Sequence, residues 1–122
     1  MSLLASLFVL AAAVPEESGA ARAERLSGSW SVDLRISLSD APYSQPMVLN
    51  VKPDGSLGGT FYNSEILAGK AGSAQGRSCV AFRTTDGSGF YHTSACLVDG
   101  RMVGQTWSEG RGFVLPWTAE RQ

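Results

Sequence analysis

From residue 30 onward, apolar and polar positions alternate in short runs broken by Gly, Asp and Pro. Residues 30–38 (WSVDLRISL) show the pattern without a fault. Trp30, Val32, Leu34, Ile36 and Leu38 fall on one face, and Ser31, Asp33, Arg35 and Ser37 on the other. A period of two is that of a strand with one buried face, so a single strand with five inward side chains is expected here. The Pro-containing stretch Ser39 to Pro46 reads as a loop. Further strands are expected at 47–52 and 57–63, around a Pro53-Asp54-Gly55-Ser56 turn, and at about 66–73, leading through Ala74-Gln75-Gly76. Four more follow at 78–85, 90–98, 101–108 and 113–119, joined by residues 86–89 (DGSG), 99–100 (DG) and 109–112 (EGRG). No stretch after residue 23 has a convincing helical period.

Eight short strands joined mostly by tight turns pair in sequence order, because a tight turn brings only neighbours together. The expected fold is therefore all-β, an eight-stranded antiparallel up-and-down meander that closes into a barrel and so removes its two open edges.

Cys79 and Cys96 are the only cysteines of the chain. If residues 86–89 form the bend, opposed positions sum to 175, as 79 and 96 do. The thiols then face each other on adjacent strands at a Cα separation of ~4.5–5.5 Å, within reach of a disulfide. Such a bond persists in an oxidising compartment; in a reducing one the same pair would be two free thiols.

That register sorts the later side chains. Val80, Phe82, Thr84, Tyr91, Thr93, Ala95 and Leu97 share one face, joined by Met102, Gly104 and Thr106; this more apolar face is expected to point inward. Its hydroxyls fit either a small ligand pocket at one end or a satisfied polar core. The opposite face carries Arg83, His92 and Trp107 in one cross-strand row. They form either a recognition patch or an inert stacked row. Val98, Val103 and Trp107 on that outer face point to a subunit contact, and hence to a homo-oligomer.

The N-terminus follows a different pattern. Leu3 to Val14 is a continuous apolar run, too short for a membrane span, followed by Pro15 and the triplet Ala21-Arg22-Ala23. Apolar centre, helix breaker and small-residue triplet are the order of a secretory signal. Residues 1–23 are thus read as a signal peptide cleaved after Ala23, and 24–122 as one barrel domain exported to the periplasm or outside the cell. The alternatives are an uncleaved anchor or a buried N-terminal helix.

With 122 residues and 43% hydrophobic positions the chain has material for one core. Of its eleven acidic and ten basic residues, Glu16, Glu17 and Arg22 lie in the leader, which leaves nine of each. A neutral domain does not steer a polyanion, so no nucleic-acid partner is expected. Two cysteines and one histidine make no metal-ligand set, and no cofactor is implied. Nucleophile elbows and phosphate-cradling loops are absent, and Asp40, Asp54, Asp86, Asp99 and Glu109 all fall in loops, so the chain does not read as an enzyme.

Several motifs resemble the avidin/streptavidin family, a calycin-type eight-stranded barrel that binds biotin, usually as a tetramer. Gly28-Ser29-Trp30-Ser31-Val32-Asp33-Leu34 is similar to the family's opening Gly-x-Trp-x-Asn-x-Leu. Asp54-Gly55-Ser56-Leu57-Gly58-Gly59-Thr60-Phe61 resembles its Gly-x-Leu-x-Gly-x-Tyr stretch, and Cys79 to Arg83 a strand with a ligand-stacking Trp where Phe82 stands. Gln105-Thr106-Trp107 and Pro116-Trp117 resemble the last two strands. Gly-x-Trp also opens lipocalin-type barrels and small secreted protease inhibitors. Val32 and Ile36 stand where the family has a ligand-binding Asn and Ser, and Phe61 lacks the family's phenol, while Asn63 can still hydrogen-bond. The expected role is a binding module for a small ligand other than tightly held biotin, with Trp30, Phe61, Asn63, Phe82, Tyr91, Thr93 and Thr106 as candidate contacts. The alternative is an exported protein–protein module such as an enzyme inhibitor, acting through its N-terminal segment or residues 39–46 and 109–112.

Overall fold

The computed structural model describes residues 19–122. A helical turn, α1 (Gly19–Ala23), runs into one turn of 3-10 helix (Glu24–Leu26). The strands are β1 (Gly28–Asp33), β2 (Ser44–Val51), β3 (Ser56–Phe61), β4 (Ser64–Glu65), β5 (Leu67–Ala74), β6 (Arg77–Thr85), β7 (Phe90–Val98), β8 (Arg101–Ser108) and β9 (Phe113–Arg121). Neighbours pair antiparallel in sequence order, except that β5 pairs with β3 and the short β4 pairs only with β3; β1 also pairs with β9, so the sheet closes. The fold is the all-β, up-and-down, eight-stranded barrel expected from the alternation, with the short β4 as an extra piece. A bulge between Leu67 and Lys70, with Ala68 at φ 51°, lies just after it.

Register on the later strands follows from the turns. Cys79 faces Cys96 across β6–β7, and the two form a disulfide with a Cα separation of 4.0 Å. Val80, Phe82, Thr84, Thr93, Ala95, Met102 and Thr106 are buried, as the pairing requires.

Three expectations are corrected. β1 ends at Asp33, so the strand expected over 30–38 is too long: Ile36 and Leu38 are 90% and 87% exposed. The physical reason is local. The Arg35 N–H donates to Asp33 Oδ1 and the Ser37 N–H to Asp40 Oδ2, which turns the chain away after Leu34, whose own N–H donates to the returning Tyr43 carbonyl at 2.8 Å. Ser44–Pro46, read as loop, belong to β2, with Pro46 opposite Ser31. Tyr62 and Asn63, read as strand, form a two-residue turn with φ of 51° and 65°, which reverses the chain into β4.

The two ends of the barrel differ. Strand direction places the loops 34–43, 62–63, 86–89 and 109–112 at one end. At the other, the 3-10 turn tucks Leu26 under the core, and α1 lies against β5 with Ala23 fully buried. Trp30, Met47 and Met102 are also fully buried. The expected leader segment Leu3–Val14 lies outside the described residues, and among those described no helix is long and apolar enough to cross a membrane.

Candidate functional site

Above the packed core, the loop-bearing end holds a half-open cavity of about 680 Å³. That volume is within the range of small-molecule sites. Its floor is apolar. Phe61 comes from the end of β3 and packs on Phe82 and Trp117, each at a ring-centroid distance of 5.6 Å. This aromatic cluster separates the cavity from the interior below. Leu34, Phe113 and Leu115 continue the wall, and Ser64, Thr84, Tyr91 and Thr106 are hydroxyl-bearing strand residues that line it.

The rim is polar but internally matched. Asp86 accepts hydrogen bonds from the Ser88 backbone and hydroxyl at 3.0 and 2.8 Å, and from the Tyr91 hydroxyl at 2.8 Å. Arg111 reaches the same carboxylate at 3.2 Å, which ties the loops 86–89 and 109–112 together across the mouth. The Ser88 N–H bond, followed by the Tyr91 and Ser88 hydroxyls, holds the Asp86 carboxyl far below its ordinary range. Reciprocally, that carboxylate pushes the Tyr91 phenol up. On the opposite side the hydroxyls of Tyr43 and Tyr62 are bonded to each other, which raises Tyr62. Arg35 Nε lies 2.8 Å from Asp33 Oδ2, without the alignment of a hydrogen bond.

Of the candidate contacts, Phe61, Tyr91 and Thr106 come together at this cavity. The other four lie elsewhere. Trp30 is at the closed end, donating from Nε1 to the Leu26 carbonyl at 2.9 Å. Phe82 is one layer beneath the floor, Thr93 is buried and bonded to Thr106 at 2.9 Å, and Asn63 points from an exposed turn. Tyr62, Arg35, Phe113 and Leu115 line the mouth without having been singled out from the sequence, while Tyr43 and Arg111 belong to the segments 39–46 and 109–112 named there for the protein–protein alternative. A meander offers a signal that would have found most of them: alternate loops share an end, so the segments after β1, β3, β6 and β8 must meet.

The outer row is present in register, with Arg83 opposite His92 and His92 opposite Trp107. The rings of His92 and Trp107 stack at 5.0 Å, while Arg83 leaves the row to lie 4.9 Å over Phe90. His92 Nε2 is 3.1 Å from Glu109, out of line for a hydrogen bond. Among the described residues, no group of three His, Cys, Asp or Glu side chains is placed to hold a metal ion.

Comparison with family models, with characterised proteins and with solved structures finds no match to this chain.

Proposed function

We propose that this protein is a non-catalytic binding module that takes a small ligand into the open end of its barrel. The observation that carries this reading is the asymmetry of the interior. At one end Trp30, Leu26 and Ala23 are fully buried, and the other keeps about 680 Å³ open above an aromatic floor. A barrel that needed only a core would fill both ends. The rim favours binding over chemistry, since Asp86 is engaged with Tyr91 and Arg111, Tyr43 with Tyr62, and Asp40 with the Ser37 N–H.

Export to an oxidising compartment is part of the proposal and is supported by the Cys79–Cys96 disulfide and by the leader-like order of residues 1–23. The avidin-like reading rests on the sequence motifs and on a barrel of eight strands, and it does not carry biotin with it. Val32 is buried in the core, Ile36 sits on an exposed loop, and Phe61 brings a ring without a hydroxyl. None of the three can hydrogen-bond a ureido group through its side chain.

A second reading, an exported protein–protein module, is favoured by the exposed Ile36 and Leu38 on the 34–43 loop. The outer-wall Val98, Val103 and Trp107, each nearly half exposed, support the homo-oligomer expectation in the same way.

The test is calorimetric titration with Nile red, biotin, flavins, fatty acids and haem, in the wild type and in Leu115→Trp, which fills the mouth. A saturable response that Leu115→Trp abolishes supports the reading. No response from any compound overturns it in favour of the protein–protein module.

A further inference from the structure

We infer that the cavity takes an uncharged ligand that presents a hydrogen-bond acceptor, a carbonyl or ether oxygen, to the hydroxyl of Thr106. This rests on the reading of the cavity as a ligand site and names the chemistry that site selects.

The argument is a count of protons and lone pairs. Trp117 Nε1 donates to Thr106 Oγ1 at 3.0 Å, and the Thr106 and Thr93 hydroxyls are bonded at 2.9 Å. Two hydroxyls share one bond, so one hydroxyl proton is left over. If Thr106 donated to Thr93, the spare proton would sit on Thr93. That side chain is buried, does not line the cavity and bonds to no other residue. A buried orphan donor is the costlier arrangement. Thr93 therefore donates to Thr106. Both lone pairs of Thr106 are then filled, by Thr93 and by Trp117, and only its proton remains to offer. Thr106 does line the cavity, so the wall presents, at this position, a hydroxyl that can donate and cannot accept.

The rim sets the charge. Arg111 is matched by Asp86, and Arg35 by Asp33. Among the described residues lining the mouth, no cation is left over for a carboxylate or phosphate, and burying an unmatched anion beside Asp86 is unfavourable. The two features together select a neutral molecule with an apolar body for the Phe61 and Phe113 rings and an acceptor at its leading end.

Three probes of one shape test this by calorimetric titration: a naphthyl methyl ketone, the corresponding ethylnaphthalene, and naphthoate. The wild type is expected to bind the ketone roughly fivefold more tightly than the hydrocarbon, the worth of one net hydrogen bond. Naphthoate is expected to bind roughly tenfold or more weakly than the ketone. Thr93→Val leaves the ketone-to-hydrocarbon ratio unchanged, because the Thr106 proton was never committed to Thr93. A ratio that rises in Thr93→Val overturns the inference, since it would show that Thr93 had been holding that proton. Thr106→Val reduces the ratio to about one, and Thr106→Ser restores it; should Thr106→Val fail to fold, the wild-type and Thr93→Val ratios decide alone. Equal affinity for all three probes overturns the inference and leaves the cavity reading standing. Binding of none overturns both.

Discussion

The guanidinium of Arg121 lies 4.3 Å over the ring of Trp30, and its two terminal nitrogens donate to the Ser27 and Arg25 carbonyls at 2.9 and 2.7 Å. Trp30 and Arg121 are also register partners where the first strand meets the last. One side chain thus joins the closing seam of the barrel to the turn that plugs its lower end. Trp30 completes the arrangement by donating to Leu26 from its indole nitrogen. Arg121→Ala is expected to lower stability by about 1–2 kcal/mol, from a cation–π contact and two exposed hydrogen bonds. Arg121→Lys should recover only part of this, since an ammonium has no planar fork to reach both carbonyls. An unchanged urea midpoint in Arg121→Ala would mean that the seam is held by strand pairing alone.

The Cys79–Cys96 bond closes an 18-residue loop within a single hairpin. Reduction, or the Cys79→Ala/Cys96→Ala pair, should destabilise the domain by about 3 kcal/mol, chiefly by freeing the unfolded chain. The strands flanking it remain paired, so the circular dichroism spectrum at low temperature should not change. Equal melting temperatures with and without reductant would refute this.

At the mouth, protonation is the lever. The folded carboxyl of Asp86 is held below its ordinary value, so its contribution is complete above about pH 4, where the unfolded carboxyl is ionised. That contribution is lost as pH falls below 4 toward the lower folded value. Between pH 7 and pH 3 the wild type should lose more stability than Asp86→Asn, which lacks this carboxylate throughout. The Tyr91 phenol has the opposite sign: raised in the fold, it gives stability that is lost only as pH climbs above 10. Parallel urea midpoints for wild type and Asp86→Asn across the acid range would count against the Asp86–Tyr91–Arg111 clamp.

How the fold was legible, and where legibility ended, is clearest on β3. Its run of Leu57, Gly59 and Phe61 reads as an alternating strand, and Leu57 and Phe61 are indeed buried. The sequence does not disclose that Gly59 adopts φ +122°, nor that a Cβ there would stand 1.9 Å from the Val48 carbonyl. The close approach of β2 and β3 is a tertiary fact, and no periodicity encodes it. Gly59→Ala is accordingly expected to cost about 3 kcal/mol or more, through strain and displacement of β2. Gly58→Ala, with open space around it, should cost little. A thermal shift assay showing the two alike would sink the distinction.

The cavity itself was legible only in part, for a related reason. Register places Phe61, Tyr91 and Thr106 on inner walls, but their height in the barrel depends on where each strand ends. At β1 alternation carries on past the strand's end, through Ile36 and Leu38, because loop and strand can share a binary pattern while capping by Asp33 and Asp40 sets the geometry. Two aliphatic side chains that look like core are therefore almost fully in solvent beside the mouth. Since little burial is lost on truncation, Ile36→Ser and Leu38→Ser should each change stability by less than about 0.5 kcal/mol. Leu34→Ser, two residues before Ile36 and buried, should cost roughly 2–3 kcal/mol. Ile36 also borders the cavity, so Ile36→Ser should weaken Nile red binding several-fold while Leu38→Ser, outside the lining, does not. If Ile36→Ser instead unfolds the domain, the loop is packed in solution, and the open mouth on which ligand entry depends is closed.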